Sequence, residues 1–436
     1  MRGRLEMQLA VDSPETGHDL AAQSRPVRFP ETAHDLATPS RPVRFPETAH
    51  DLAAPSRPVR LPETAHDLAT PSRPVRFLSP KTALEGFPSM RLHYNVPYSM
   101  NAGIVGTGAI SHKHAQAYRN IGFRVAACTD INPASAQAFA ERYGGVALAS
   151  VEDICRHPDV DFVDVCTFPD FRLQPVRLAA QNGKHVQVQK PMAINVAVAR
   201  EMIEVARDAG IVLGVASQHR FDDSSIFLRK AIDAGRLGRL IQCDAYVKWF
   251  RSAEYYSRPI KGSWAVEGGG ALINQAIHQI DILRWLAGPV KNIQAMWQLG
   301  ALHKIESEDV VNALLRFENG ATGVIQASTA LWPGYSERVE LHGTRGSAIV
   351  TGDQLTSWDV QGDEEASIAD PPPLSTGVAS GASDPMAISL TPFERQFRDF
   401  GDAIRSRRKP LVGGEEGLAA LEIVERIYET CRNPTA

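Results

Sequence analysis

The chain has 436 residues, 43% of them hydrophobic, and 46 Lys and Arg stand against 50 Asp and Glu for a formal net charge of −4. That balance, with no clustered basic stripe, speaks against a nucleic-acid surface, and no apolar run approaches the ~20 residues of a membrane span. Five scattered cysteines without C-x-x-C spacing and an N-terminus lacking a signal-peptide core fit a soluble cytoplasmic protein with reduced thiols.

From Pro14 to Phe77 a sixteen-residue unit repeats almost letter for letter, as in PETAHDLATPSRPVRF. Solenoid repeats are longer and carry an apolar face to stack on a neighbour. This unit offers only Leu, Val and usually Phe, broken by Pro, so residues 1–99 are expected to be a disordered or extended extension without a biochemical role, the competing reading being a multivalent linear motif. Met100 precedes the first clear strand and is a candidate start. The remaining 337 residues suit two domains.

Between 102 and 216 short β-rich runs (AGIV, FRVAACT, DFVDVCT, HVQVQ, IVLGVA) alternate with helical segments. That alternation predicts right-handed crossovers and a doubly wound parallel sheet, an α/β fold. The first turn, GIVGTGAISHKHAQAY, places Gly106, Thr107 and Gly108 where a strand bends into a helix opened by Ala109 and Ile110. Bare backbone and a free helix N-terminus there suit a pyrophosphate. Ser111 takes the position where a third Gly or Ala is usual. Asp130 ends the next strand and is expected to bind the ribose hydroxyls, favouring NAD over NADP; the competing reading is a cap for the helix starting near Pro133.

In GKHVQVQKPMA, Pro191 biases Lys190 toward extended backbone at a strand end, where ligands of open α/β sheets bind. Gln218, His219, Arg220 and Phe221 follow the last of these strands. AEYYSRPIKGSW then offers Tyr255, Tyr256, Lys261 and Trp264. Polar donors beside rings suit a polyhydroxylated ligand, and Gln218, Arg220, Tyr256 and Trp264 are taken as substrate candidates.

GGGALINQAIHQID runs three glycines into a helix expected over 271–286. Ile273, Ile277, Ile280 and Leu283 form its core stripe; Asn274, His278 and Asp281 form a polar stripe one residue on, pointing one way into a cleft. His278 suits a general base and Asn274 a hydroxyl partner. Asp281 either orients the imidazole or pairs with an arginine. No third ligand accompanies His278 and Asp281, so no metal is expected. Residues 361–389, rich in Asp, Pro, Ser and Gly, read as a surface excursion.

VGTGAISHKHA, the Lys-Pro of VQVQKPMA, GGGALINQAIHQIDILRWLAG and the tail segments through PLVGGEEGLAALEIVERIYET together resemble the Gfo/Idh/MocA oxidoreductases over residues 100–432. The resemblance implies an NAD-binding Rossmann domain, placed at 100–218. It implies a C-terminal α/β domain, placed at 219–436, with an open, mostly antiparallel sheet that makes a homo-oligomer contact. It also implies hydride transfer between nicotinamide and a sugar, cyclitol or related polyol, with Lys190 and His278 catalytic, Asn274 beside them, and Thr167, Gln189 and Lys190 against the cofactor. Three positions depart from the pattern: Gln189 replaces a Glu, Asn274 an Asp, and Arg172 a His. A redox-assisted glycosidase or lyase, and a non-catalytic NAD sensor, are the competing functions on this fold.

Overall fold

The structure, a computed structural model, describes residues 99–258, 260–362 and 389–433. The repeats and the interior of the 361–389 segment lie outside them. The first layer is built by β1 (Asn101–Val105), β2 (Arg124–Thr129), β3 (Val146–Ala147), β4 (Phe162–Val165), β5 (His185–Val188) and β6 (Leu213–Val215). All pair in parallel, in the order β3-β2-β1-β4-β5-β6. The connections carry α1 (Ala109–Asn120), α2 (Pro133–Tyr143), α3 (Val151–Arg156), α4 (Leu173–Gln181) and α5 (Val196–Asp208). Strand order reverses between β1 and β4, which opens a crevice at their carboxyl ends.

Local chemistry explains the boundaries. The Asn132 side chain accepts from the Ala134 N–H at 3.1 Å and Pro133 takes the first helical position of α2. The α2 cap is therefore Asn132 and not Asp130.

After α6 (Asp223–Asp233) comes a seven-stranded sheet of β7 (Leu240–Lys248), β8 (Val290–Leu299), β9 (Glu308–Phe317), β10 (Thr322–Ser328), β11 (Arg338–Gly343), β12 (Gly346–Thr351) and β13 (Gln354–Val360). Its order is β13-β12-β11-β7-β10-β9-β8, antiparallel except for β7 with β10. One face is covered by helices, among them α7 (Ile277–Ala287). The other leaves Leu314 60% and Met296 72% exposed, the alternation of a sheet with one covered face.

Two helices cross the expected boundary at 218. α8 (Thr391–Ser406) drives Phe393, Phe397 and Phe400 into the core that holds Met100, Ala102 and Phe162. α9 (Gly414–Arg432) packs against both α5 and β8. No helix among the described residues is long and apolar enough to cross a membrane.

Candidate active site

A cleft of about 1160 Å³ begins at the β1–α1 turn and runs to the glycine-rich entry before α7. At its near end Gly106 has φ +91, and a Cβ there would press within 3.2 Å of the Cys166 and Thr167 backbone. Gly108 precedes α1 with nothing within 4 Å of where its Cβ would stand, and Ala109 and Ile110 continue the open helix end along the cleft. Ser111 is buried; its hydroxyl donates to the Gly108 carbonyl at 2.6 Å, so the third glycine position is filled by a side chain that turns inward and ties the turn.

Asp130 lines the same wall. Its Oδ2 accepts from the Thr107 N–H at 2.7 Å and hydroxyl at 3.0 Å, and Oδ1 from the Asn132 N–H at 2.9 Å. Thr107 is buried and does not line the cleft; it holds the acid in place. A bare turn at a free helix N-terminus, with a carboxylate fixed at the next strand end, fits a nicotinamide dinucleotide.

Deeper in, Thr167, Gln189 and Lys190 come together at the ends of β4 and β5. Arg172 is buried beside them and donates to the carbonyls of Thr167, Gln189 and Pro191. Arg172 thus ties the chain after β4 to both sides of Lys190. Gln189 lines the cleft with its side-chain polar atoms bonded to the protein. Its Oε1 accepts the Lys190 N–H at 2.9 Å, which turns its amide nitrogen toward His114 Nε2, also at 2.9 Å. His114 must accept there, so its proton sits on Nδ1 and donates to Asp164 at 2.7 Å, where Tyr118 donates as well at 2.8 Å.

Lys190 Nζ donates to the Asn274 carbonyl at 2.7 Å. Burial, with Lys261 and Arg172 as neighbouring cations, pushes its ammonium down to about 7. Asn274 lies in a π-helical turn, Leu272–Ala276, which precedes α7. Such turns cluster at functional sites, and this one corrects the regular helix expected over 271–286. Gln275 as well as Asn274 and His278 lines the cleft, and Asp281, one turn further along α7, does not.

The glycines prepare that turn. Gly268 has φ +80 and Gly269 φ +148; a Cβ on Gly270 would fall 1.9 Å from the Glu308 carbonyl oxygen. The buried Glu308 carboxylate then accepts from the N–H groups of Gly270 and Leu272, each at 2.9 Å, and from the Tyr428 hydroxyl at 2.8 Å. Burial pushes this carboxyl up to about 7, against the opposing pull of those donors.

His278 is 9% exposed, lines the cleft, and has no hydrogen-bond partner at Nδ1. Burial, with Lys190 and His219, holds its pKa well below the ordinary imidazole value. His219 packs edge-on at 5.0 Å and is itself bonded to Asp222 at 2.8 Å. Although burial lowers the His219 pKa, Asp222 outweighs it and the net shift is upward.

The remaining candidates divide. Gln218 lines the cleft. Arg220 does not: it is 1% exposed and donates twice to Asp281, at 2.8 and 2.5 Å, while Ser217 donates to the same carboxylate. Asp281 therefore pairs with an arginine and leaves the imidazole alone. Tyr256 is turned away, bonded to Thr329 at 2.8 Å and tilted against the His303 ring; its neighbour Tyr255 faces the cleft. Trp264 packs between Trp297 and Tyr428 and donates to the Glu306 carbonyl, so it is a structural residue. Arg251, Trp249, Gln275 and Glu267 also line the cleft. No periodic signal marks them, because most lie in irregular chain whose facing is set by tertiary packing.

The family model described as an oxidoreductase family with an NAD-binding Rossmann fold matches residues 100–217, and the GFO/IDH/MocA C-terminal domain matches 226–349. The 1,5-anhydro-D-fructose reductase of Ensifer adhaerens is 28% identical over 331 residues, covering 73% of this chain and 92% of the relative. Inositol 2-dehydrogenase of Rhizobium meliloti is 27% identical over 329 residues, covering 74% and 94%. The crystal structure of the WlbA dehydrogenase from Bordetella pertussis, in complex with NADH and UDP-GlcNAcA, superimposes with a TM-score of 0.67 at 28% identity, covering 77% of this chain and 96% of that one. With both family models matched in order over the two sheets and the cleft between them, the chain belongs to the Gfo/Idh/MocA family of NAD-binding oxidoreductases.

Proposed function

We propose that the protein interconverts a hydroxyl and a carbonyl of a sugar, cyclitol or related polyol, with NAD as the hydride partner. The observation that carries this reading is the convergence of Lys190 and His278 on one cleft that starts at an open β1–α1 turn. Gly106, Gly108, Ala109, Ile110 and Asp130 would hold the dinucleotide, with Thr107 behind Asp130, and Thr167, Gln189 and Lys190 nearer the reacting end. Bound there, NAD would supply the hydride acceptor for the carbinol hydrogen.

The chain's own groups handle the proton. His278 stays neutral across the physiological range because its pKa is held low, so its imidazole is free to take the hydroxyl proton. Lys190, already directed at the π-turn by the Asn274 carbonyl, donates to the same oxygen and offsets its developing negative charge. Asn274 spends its amide N–H on the Gly269 carbonyl at 3.0 Å; its side-chain oxygen remains to accept from a neighbouring hydroxyl. Gln218 and Gln275 add polar wall.

Residues 100–218 read as the cofactor unit and 219–436 as the substrate and oligomer unit, with α8 and α9 returning to the first sheet. The exposed apolar residues on the second sheet support a homo-oligomer through that face. Five free thiols support a cytoplasmic setting.

The test is a sugar and cyclitol panel with NAD, following NADH absorbance and product mass together. NADH that grows in proportion to one oxidised product is the expected result. A changed product without NADH would favour the redox-assisted lyase or glycosidase, and silence in both channels would favour the sensor.

A further inference from the structure

The reacting end of the cleft is rich in cations. Lys190, Arg251, Arg258 and Lys261 line it, with Arg172 behind the strand ends; the lining carboxylates on this side are Glu267 and the exposed Asp170. Glu267 forms an ion pair with Lys261 at 2.5 Å and accepts the Gly262 N–H at 2.8 Å, so Lys261 carries a paired charge and meets a ligand through its remaining N–H donors. Glu337 sits within electrostatic reach of Arg251 from outside the cleft and accepts from Trp249. Lys190 rests on a neutral carbonyl.

Two of the cations share a ring. The Lys261 ammonium lies 5.1 Å from the centre of Tyr255 and the Arg251 guanidinium 5.7 Å from it, with Arg251 also 4.7 Å from Trp249. Gln275 donates to the Tyr255 hydroxyl at 3.1 Å, which holds the ring in place. An aromatic floor flanked by cations suits a ligand with a C–H face and a negative charge. These side chains come from the loops after β7, not from the strand ends of the first sheet where the dinucleotide phosphates are expected, so a second anion is the natural counterpart.

We propose that the substrate is an anionic sugar or polyol, whose carboxylate or phosphate seats against Lys261 and Arg251 beside Tyr255. This rests on the oxidoreductase reading above. Burial and, after it, these cations depress the Lys190 ammonium, and a bound anion would relieve the cations' part of that shift when substrate is present.

The test uses the full chain loaded with NADH and titrated, by cofactor fluorescence, with neutral and charged pairs: glucose with glucuronate, galactose with galacturonate, and glucose with glucose 6-phosphate. The same pairs are assayed for turnover. In at least one pair the charged member is expected to bind ~10-fold or more tightly, with the gap narrowing as salt rises. Lys261→Met and Arg251→Met should each shrink that gap while NADH affinity holds, and Arg258→Ala, at the exposed rim, checks the effect where folding is not at stake. Preference for uronate or for phosphate identifies the anion. The proposal is overturned if no charged member outbinds its neutral partner, or if the gap survives all three substitutions. Loss of NADH binding by the unmodified chain would instead overturn the cofactor reading, and turnover of neutral members alone would overturn only the anionic preference.

Discussion

Two glycine-rich turns frame the cleft, and they lack side chains for opposite reasons. At Gly108 the space of a Cβ is open, with nothing within 4 Å, so bare backbone there serves a ligand. At Gly268, Gly269 and Gly270 that space is already taken, by the Ile194 carbonyl at 2.7 Å, the Tyr428 hydroxyl at 2.3 Å and the Glu308 carbonyl at 1.9 Å. Gly108 is shaped for something outside the protein, although its neighbour Gly106 is held to glycine by its φ of +91. The second turn is packed so tightly against β9 that it fixes the π-turn and, with it, Asn274 and His278.

The largest effects should fall on chemistry at the second turn. His278→Ala and Lys190→Ala are each expected to lower kcat on the order of 10³-fold, with NADH binding retained; steady-state kinetics beside a fluorescence titration would show this, and unchanged kcat in both would refute the roles. Gly270→Ala should cost about 3 kcal/mol of stability by overpacking against the Glu308 carbonyl, whereas Gly108→Ala should leave stability within about 0.5 kcal/mol and weaken NAD. Denaturant unfolding of the pair breaks the contrast if their losses are alike.

Glu308→Gln sharpens it. An amide cannot accept at both of its ends, so one of the Gly270 and Leu272 N–H groups loses its partner, at a cost of about 2 kcal/mol. Smallest is Asp130→Ala, expected to weaken NAD ~10-fold with NADP little changed; equal weakening would remove Asp130 from the ribose site.

The first turn was legible in the sequence because its signals are local: a β-run, two glycines, an acid at the next strand end. The second was legible only in outline. Glycine spacing does not announce which glycine meets a carbonyl from β9, and a π-turn breaks the helical period between Asn274 and His278. Asp281 follows the second of the two readings its position allowed and pairs with Arg220, while Tyr256 and Trp264 go to packing. A polar or aromatic residue in irregular chain has its direction set by distant partners, as when Thr329 claims the Tyr256 hydroxyl. Gln189 was read as a missing charge, but its significance lies in orientation: the Lys190 N–H fixes its amide, and its amide fixes the His114 tautomer.

The measurement that bears most directly on the site is the pH dependence of kcat/KM for NAD reduction, taken in the wild type and in Lys190→Arg. With the Lys190 ammonium pushed down to about 7, the charged lysine is present below that pH and lost above it, so wild-type kcat/KM should decline through an alkaline limb near neutrality. His278, held well below the imidazole range, should contribute a limb only in acid. In Lys190→Arg the alkaline limb should disappear, because a guanidinium stays charged throughout. An alkaline limb that persists unchanged in the arginine variant would contradict the assignment of Lys190 to the reacting oxygen.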